Sequence, residues 1–224
     1  MAGTNSGTLI KRPSRLGDEV YNAIYAQLMS LKIPPGGRLS VDSLVRELGV
    51  SQTPIREALS RLEAQGLVVK THLVGYSAAA QMDASRFEQL YQLRSLLEPF
   101  AAGQAAVNMS EEALAALTGH AAAMSPDGGD PDIAYSRFAQ WDSEFHNMVA
   151  SGSGNELIQE TLARLHIHVH LFRLVYHARA AAAAIEEHAE IIDAISRRDP
   201  TGAEAAMTAH IQRSKERFAR AVQP

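Results

Sequence analysis

Apolar residues recur at helical spacing from Leu16 through Val20, Ile24 and Leu28 to Leu31, which predicts a first helix. Ile33-Pro34-Pro35-Gly36-Gly37 stops it, and a short extended piece follows at 38–40. A brief helix opens at Val41-Asp42 and closes at Gly49. Ser51 is a good N-cap for a third helix, Pro54 is tolerated in its first turn, and Gly66 ends it. Ile55, Leu59 and Leu62 give that helix its buried stripe. Stretches 67–72 and 76–80, joined by a turn at Val74-Gly75, predict a small hairpin. Beyond residue 81 the pattern is helical throughout and rich in alanine. Helices are predicted at about 83–107, 110–124, 131–150, 155–178, 180–197 and 201–221. Asp199 as N-cap with Pro200 at the first helical position is a firm start signal.

The change of texture near residue 80 predicts a mainly α chain: an N-terminal winged helix-turn-helix over 14–80, behind a disordered arm at 1–13, and an all-α helical bundle over 81–224. Charge sharpens the division. Residues 1–80 carry 9 Lys/Arg against 6 Asp/Glu, whereas 81–224 carry 12 against 19, so a basic module precedes an acidic one. A basic module suits a polyanion. With 0 cysteines, disulfides, zinc ribbons and thiol catalysis are excluded. No stretch reaches the roughly 18 apolar residues that span a bilayer, and the polar N-terminus lacks the apolar core of a signal peptide. The expected setting is therefore cytoplasmic, with no membrane partner.

The helix, turn, helix and hairpin of the first module have a specific logic. The tight turn at Gly49-Val50-Ser51 lets the following helix project into a major groove about 12 Å wide. With Ile55, Leu59 and Leu62 inward, Gln52, Thr53 and Arg56 lie on the outer, N-terminal side, where base edges and phosphates are reached. The run from Leu48 to Leu59 (LGVSQTPIREAL), the later RLEAQGLV from Arg61 to Val68, and the upstream IPPGGRL resemble the signature of the GntR family of bacterial transcription regulators. That resemblance implies a wing tip at Gly75 reaching the minor groove, a phosphate contact from Arg46, and operator DNA as partner. The family more often has a basic residue where this chain has Gln52, so one contact is expected to be polar rather than charged.

The second module resembles the all-helical FCD effector domain of the FadR-type branch. The matching segments are LRSLLEP from Leu93, DSEFH from Asp142, His188 with IIDAI, then Asp199 and MTAH ending at His210. The residues agree with that likeness. Asp142 and His146 stand four apart on a face shared with Phe138, Phe145 and Val149. His188 lies on a stripe with Ile185, Ile192 and Ile195, and His210 shares its face with Met207 and Ile211. Taken singly, each imidazole reads as a hydrogen-bonded core histidine. Taken as a set matching the family pattern, Asp142, His146, His188 and His210 are the expected ligands of a divalent metal, with Zn²⁺, Ni²⁺ and Mn²⁺ all compatible.

Arg94 shares a face with Phe87, Leu90 and Leu97 and is expected to point inward, toward a carboxylate effector or an internal partner such as Glu98. His166, His170, Arg173 and His177 share one face of a continuous helix, which either lines the effector cavity or covers a wet surface. The expected function is a homodimeric, ligand-responsive regulator, a repressor released by a small organic acid. The competing readings are a metal-dependent enzyme on a helical bundle and a direct metal sensor.

Overall fold

The computed structural model describes residues 15–124, 131–174 and 178–222. The predicted arm at 1–13, the break at 125–129 and His177 lie outside them.

Helix α1 (Arg15–Met29) packs on α3 (Gln52–Ala64), burying Val20, Ile24, Tyr25 and Leu28 against Ile55, Leu59 and Leu62. Between them run β1 (Arg38–Leu39) and α2 (Val41–Leu48). Ser40 caps α2, its side chain accepting from the Ser43 backbone N–H at 3.3 Å. Gly49 closes α2 at φ 67°, its N–H donating to the Val45 carbonyl. This left-handed turn aims α3 away from α2. No neighbour lies within 4 Å of a Cβ added at Gly49, so Gly49→Ala meets only the backbone penalty of about 1–2 kcal/mol. Urea unfolding should show that loss; an unchanged midpoint would mean the turn takes another conformation.

Ser51 has the extended backbone of an N-cap, but its side chain makes no capping bond. The hairpin β2 (Val68–Thr71) and β3 (Gly75–Ala78) joins β1 in an antiparallel sheet of order β1-β3-β2, with Thr71 opposite Gly75 and Arg38 opposite Ser77.

The rest is a helical bundle. Helix α4 (Ala84–Asn108) lies against α10 (Pro200–Ala219) and α9 (Ala178–Ser196), with α6 (Pro131–Gly152) crossing the centre and α5 (Glu111–Ala123) outside it. Asp83, Ser110 and Asp199 cap α4, α5 and α10 through their side chains.

The continuous helix expected at 155–178 is corrected. It is broken into α7 (Glu156–Arg164) and α8 (Ile167–Phe172), hinged at His166 with φ 45°. The cause is burial: α7 hides no residue, whereas α8 buries Ile167, Val169, Leu171 and Phe172. One straight helix cannot lie on the surface over its first half and enter the core over its second.

Candidate functional site

The outer end of α3 presents Gln52, Thr53 and Arg56 to solvent, as the spacing predicted. The Gln52 side chain donates to Asp42 at 3.0 Å and accepts from Arg56 at 3.4 Å, so Gln52 orients the arginine. Arg46 is exposed on α2 and donates to Ser43. Gly75 sits at φ 110°, beside the exposed wing-tip residues Leu73 and Val74.

In the bundle, α6 contributes Asp142 and His146, α9 His188 and α10 His210, all buried. One donor atom each from His146, His188 and His210 lies within 4.8 Å of the others. A second such group, Asp142, His146 and His168, shares His146 with the first. Carboxylates hold several of the rings. Asp142 Oδ2 is 2.5 Å from His168 Nδ1, and Glu187 Oε2 is 2.7 Å from His210 Nδ1. Glu98 Oε2 approaches His146 Nδ1 at 2.8 Å, without hydrogen-bond alignment. Clasping Nδ1 in this way leaves Nε2 as the free donor of the ring.

Both ring nitrogens of His146 and of His188 are buried without a hydrogen-bond partner among the described residues. Such groups are costly to bury unsatisfied. Burial pushes His146 down to about 4 against the pull of Glu98, and holds His188 well below its usual value. Burial alone would raise the Asp142 carboxyl, but His168, His188 and His146 hold it far below the usual carboxylate range. Neutral imidazoles beside an ionised carboxylate are the protonation states a divalent cation requires. The residues fit such an ion.

Arg94 points inward as expected, but toward Glu98. Its Nε donates to Oε1 at 2.6 Å and its Nη2 to Oε2 at 3.1 Å, with both side chains buried. Burial lowers the Arg94 value and raises that of Glu98, yet the pairing overrides both, raising the first and lowering the second. The fork expected to face an effector carboxylate is thus held by a carboxylate of the chain. Beside it, a gap of about 10 Å³ is lined by Arg94, Asp142, His168 and His210. That is room for about one water.

His166, His170 and Arg173 lie apart from Arg94, and the continuous helix expected to carry them is broken between α7 and α8. His166 bonds the backbone of Ala64 at the end of α3, and a Cβ on Gly66 would lie 3.4 Å from His170 Nε2. Arg173 is buried and donates from Nη2 to the Ala79 carbonyl at 2.9 Å. These three stand at the junction of the two modules, while His168, on the same short helix, takes the place beside Asp142.

Two family models match the chain. The model described as bacterial regulatory proteins, gntR family, matches residues 16–76, and the FCD domain model matches 89–213. The chain belongs to the gntR family of bacterial regulatory proteins, in the branch that carries an FCD domain. Among curated relatives, the Nta operon transcriptional regulator of Aminobacter aminovorans is 28% identical over 83% of this chain and 86% of its own length. The "Probable D-xylose utilization operon transcriptional repressor" of Paenarthrobacter nicotinovorans is 29% identical over 88% and 85%. Among solved structures, E. coli McbR/YncC matches with a TM-score of 0.66 at 20% identity, covering 93% of this chain and 99% of that one. A GntR-type regulator from Rhodococcus sp. RHA1 matches with a TM-score of 0.67 at 19% identity, covering 94% and 100%. These two support the fold.

As a gntR/FCD protein the chain is a ligand-responsive, DNA-binding transcription regulator and not an enzyme. No helix among the described residues is long and apolar enough to cross a membrane. His168, the contact of Glu98 with His146, and Glu187 behind His210 were not read from the sequence. The signal for His168 was present: Ile167, Val169 and Leu171 alternate with His166, His168 and His170, a period of two that no single helix face accommodates.

Proposed function

We propose that this regulator is a homodimeric repressor released from operator DNA by a small organic acid acting at a divalent metal centre. Residues 14–80 form the DNA-binding unit behind an N-terminal arm at 1–13, and residues 81–224 form the effector-binding and dimerisation unit. The observation that carries the reading is the set Asp142, His146, His188 and His210, four buried donors from three helices, two of them imidazoles with no aligned hydrogen bond among the described residues although carboxylates stand near them, Glu98 beside His146 and Asp142 3.4 Å from His188. Three imidazoles and one carboxylate suit Zn²⁺, Ni²⁺ or Mn²⁺ and leave coordination positions that a ligand carboxylate fills. The ion would supply a fixed positive charge for that carboxylate. Arg94 and Arg217 border the adjoining gap, each already paired with a carboxylate of the chain, Glu98 and Glu187.

A gap of about 10 Å³ admits no organic acid without movement of a wall. The walls include α8 and α10, and α8 also touches the DNA-binding unit. Effector entry and module placement are therefore linked. The family's operator binding and the relative named as a repressor support repression. Two recognition helices reading half-sites one turn apart require a dimer, and α4 leaves Leu96, Phe100 and Val107 exposed on one chain. Operator binding places the protein in the cytoplasm.

Gel shifts with DNA upstream of the protein's own coding region test the reading, using a panel of small carboxylates with and without chelator. The reading requires at least one acid that lowers operator affinity in loaded protein and has no effect after chelation. An acid that releases loaded and chelated protein alike would remove the metal from the mechanism. Arg56→Ala is expected to weaken operator binding by about 1–3 kcal/mol. Wild-type affinity for that variant would take Arg56 out of the interface. Gln52→Arg should steepen the salt dependence by adding a phosphate-capable charge; an unchanged slope would mean the side chain faces away from DNA.

A further inference from the structure

Between the two modules lies a cleft of about 540 Å³, separate from the metal-site residues. Its size is that of a small-molecule site. Gly66 at the end of α3 and the connector at Ala80, Gln81 and Met82 form one side. Leu90 and Leu93 of α4 supply an apolar floor. Arg86, Arg164, His166 and His170 surround the opening, and among the described residues no acidic side chain lines it.

The charge there is only partly compensated. Arg164 is paired with Glu160 on the outer side at 2.9 Å. Arg86 has no ion pair among the described residues. Arg173, behind His170, is buried with Nε unpartnered and no carboxylate beside it among the described residues. The left-handed backbone of His166 ends α7 and lets α8 carry His170 to this wall.

We propose that this junction cleft binds an amphipathic organic anion, its apolar body on Leu90, Leu93 and Met82 and its oxyanion at Arg86 and His170. A phosphate or a carboxylate supplies the same chemistry, and the two are separated by the test below. The occupant touches both modules, so its affinity depends on their relative placement and operator affinity must respond to it in turn. The site stands on the cleft's own residues and does not require the metal centre to exist.

The test uses calorimetric titration of the full-length protein, metal-loaded and chelator-stripped, with phenyl phosphate, phenylacetate and uncharged 2-phenylethanol. At least one anion is expected to bind saturably at one site per chain, equally in loaded and stripped protein and in His188→Ala, while the alcohol does not bind. Arg86→Ala/Arg164→Ala, both on exposed positions, should weaken that binding at least tenfold, and His170→Leu should do so independently. Preference for phenyl phosphate or for phenylacetate identifies the oxyanion. Saturable binding of neither anion overturns the proposal. So does equal affinity in the double arginine variant, or binding that vanishes with His188→Ala or chelation, which would place the anion at the metal centre.

Discussion

His188→Ala is expected to abolish retention of a divalent metal through purification and to lower the melting temperature to that of the stripped wild type. The reasoning begins with the orphaned ring. His188 is about 1% exposed, stacks on Phe145 at 3.8 Å between ring centroids, and has no hydrogen bond on either nitrogen among the described residues. Its neighbours His146 and His210 stand at 5.3 Å and 4.9 Å, centroid to centroid, each supported by a carboxylate on its far side. Losing a supporting partner costs about 10–100-fold in metal affinity, and losing a donor costs more. Because the donors come from α6, α9 and α10, an ion held there would bind the folded chain alone and stabilise it by mass action. Glu187→Gln, which weakens the clasp on His210 together with the pairs to Arg217 and Arg213, removes no donor and should fall between wild type and His188→Ala in metal content. The same metal content in His188→Ala as in wild type would remove this ring from the centre.

Arg94→Ala is expected to destabilise the protein by about 3–5 kcal/mol, because it leaves Glu98 buried and charged without its main partner. Glu98 is 3% exposed, and among the described residues His146 is its one further ion-pair contact. The effect belongs to the unpaired charge and not to the pair. Replacing both partners with apolar residues of similar volume, Arg94→Met with Glu98→Leu, should recover most of the loss. Urea unfolding of the two single variants and the double variant measures this. A loss below about 1 kcal/mol for Arg94→Ala would mean that the pair is solvated and free to turn.

Much of this was legible in the sequence, for identifiable reasons. The winged module is written in local signals: Gly49 at a left-handed turn, Ser40 as a cap, and Ile55, Leu59 and Leu62 on one face of α3. Asp142 and His146 were legible because four residues is one turn, and His188 and His210 because each interrupts an apolar stripe. What failed was the segment from 155 to 178. Ala163-Arg164-Leu165-His166 carries no glycine or proline, and local propensity continues the helix. The break is imposed by tertiary burial of Ile167 and Leu171, and it moves His168 beside Asp142 and His146 while sending His166 and His170 to the module junction. The role of Glu98 was half legible. Its i,i+4 spacing to Arg94 was plain, but that the arginine's fork is filled depends on two helices closing over it.

The account rests most directly on the identity of the atoms around the ion. X-ray absorption at the metal edge of protein purified without added chelator reads them in one experiment. The proposed centre requires a retained divalent first-row metal whose shell contains three imidazole nitrogens with carboxylate oxygen completing it, the donors assigned to Asp142, His146, His188 and His210. Protein that retains no such metal when Zn²⁺, Ni²⁺ or Mn²⁺ is offered, or a shell without imidazole scattering, would contradict it.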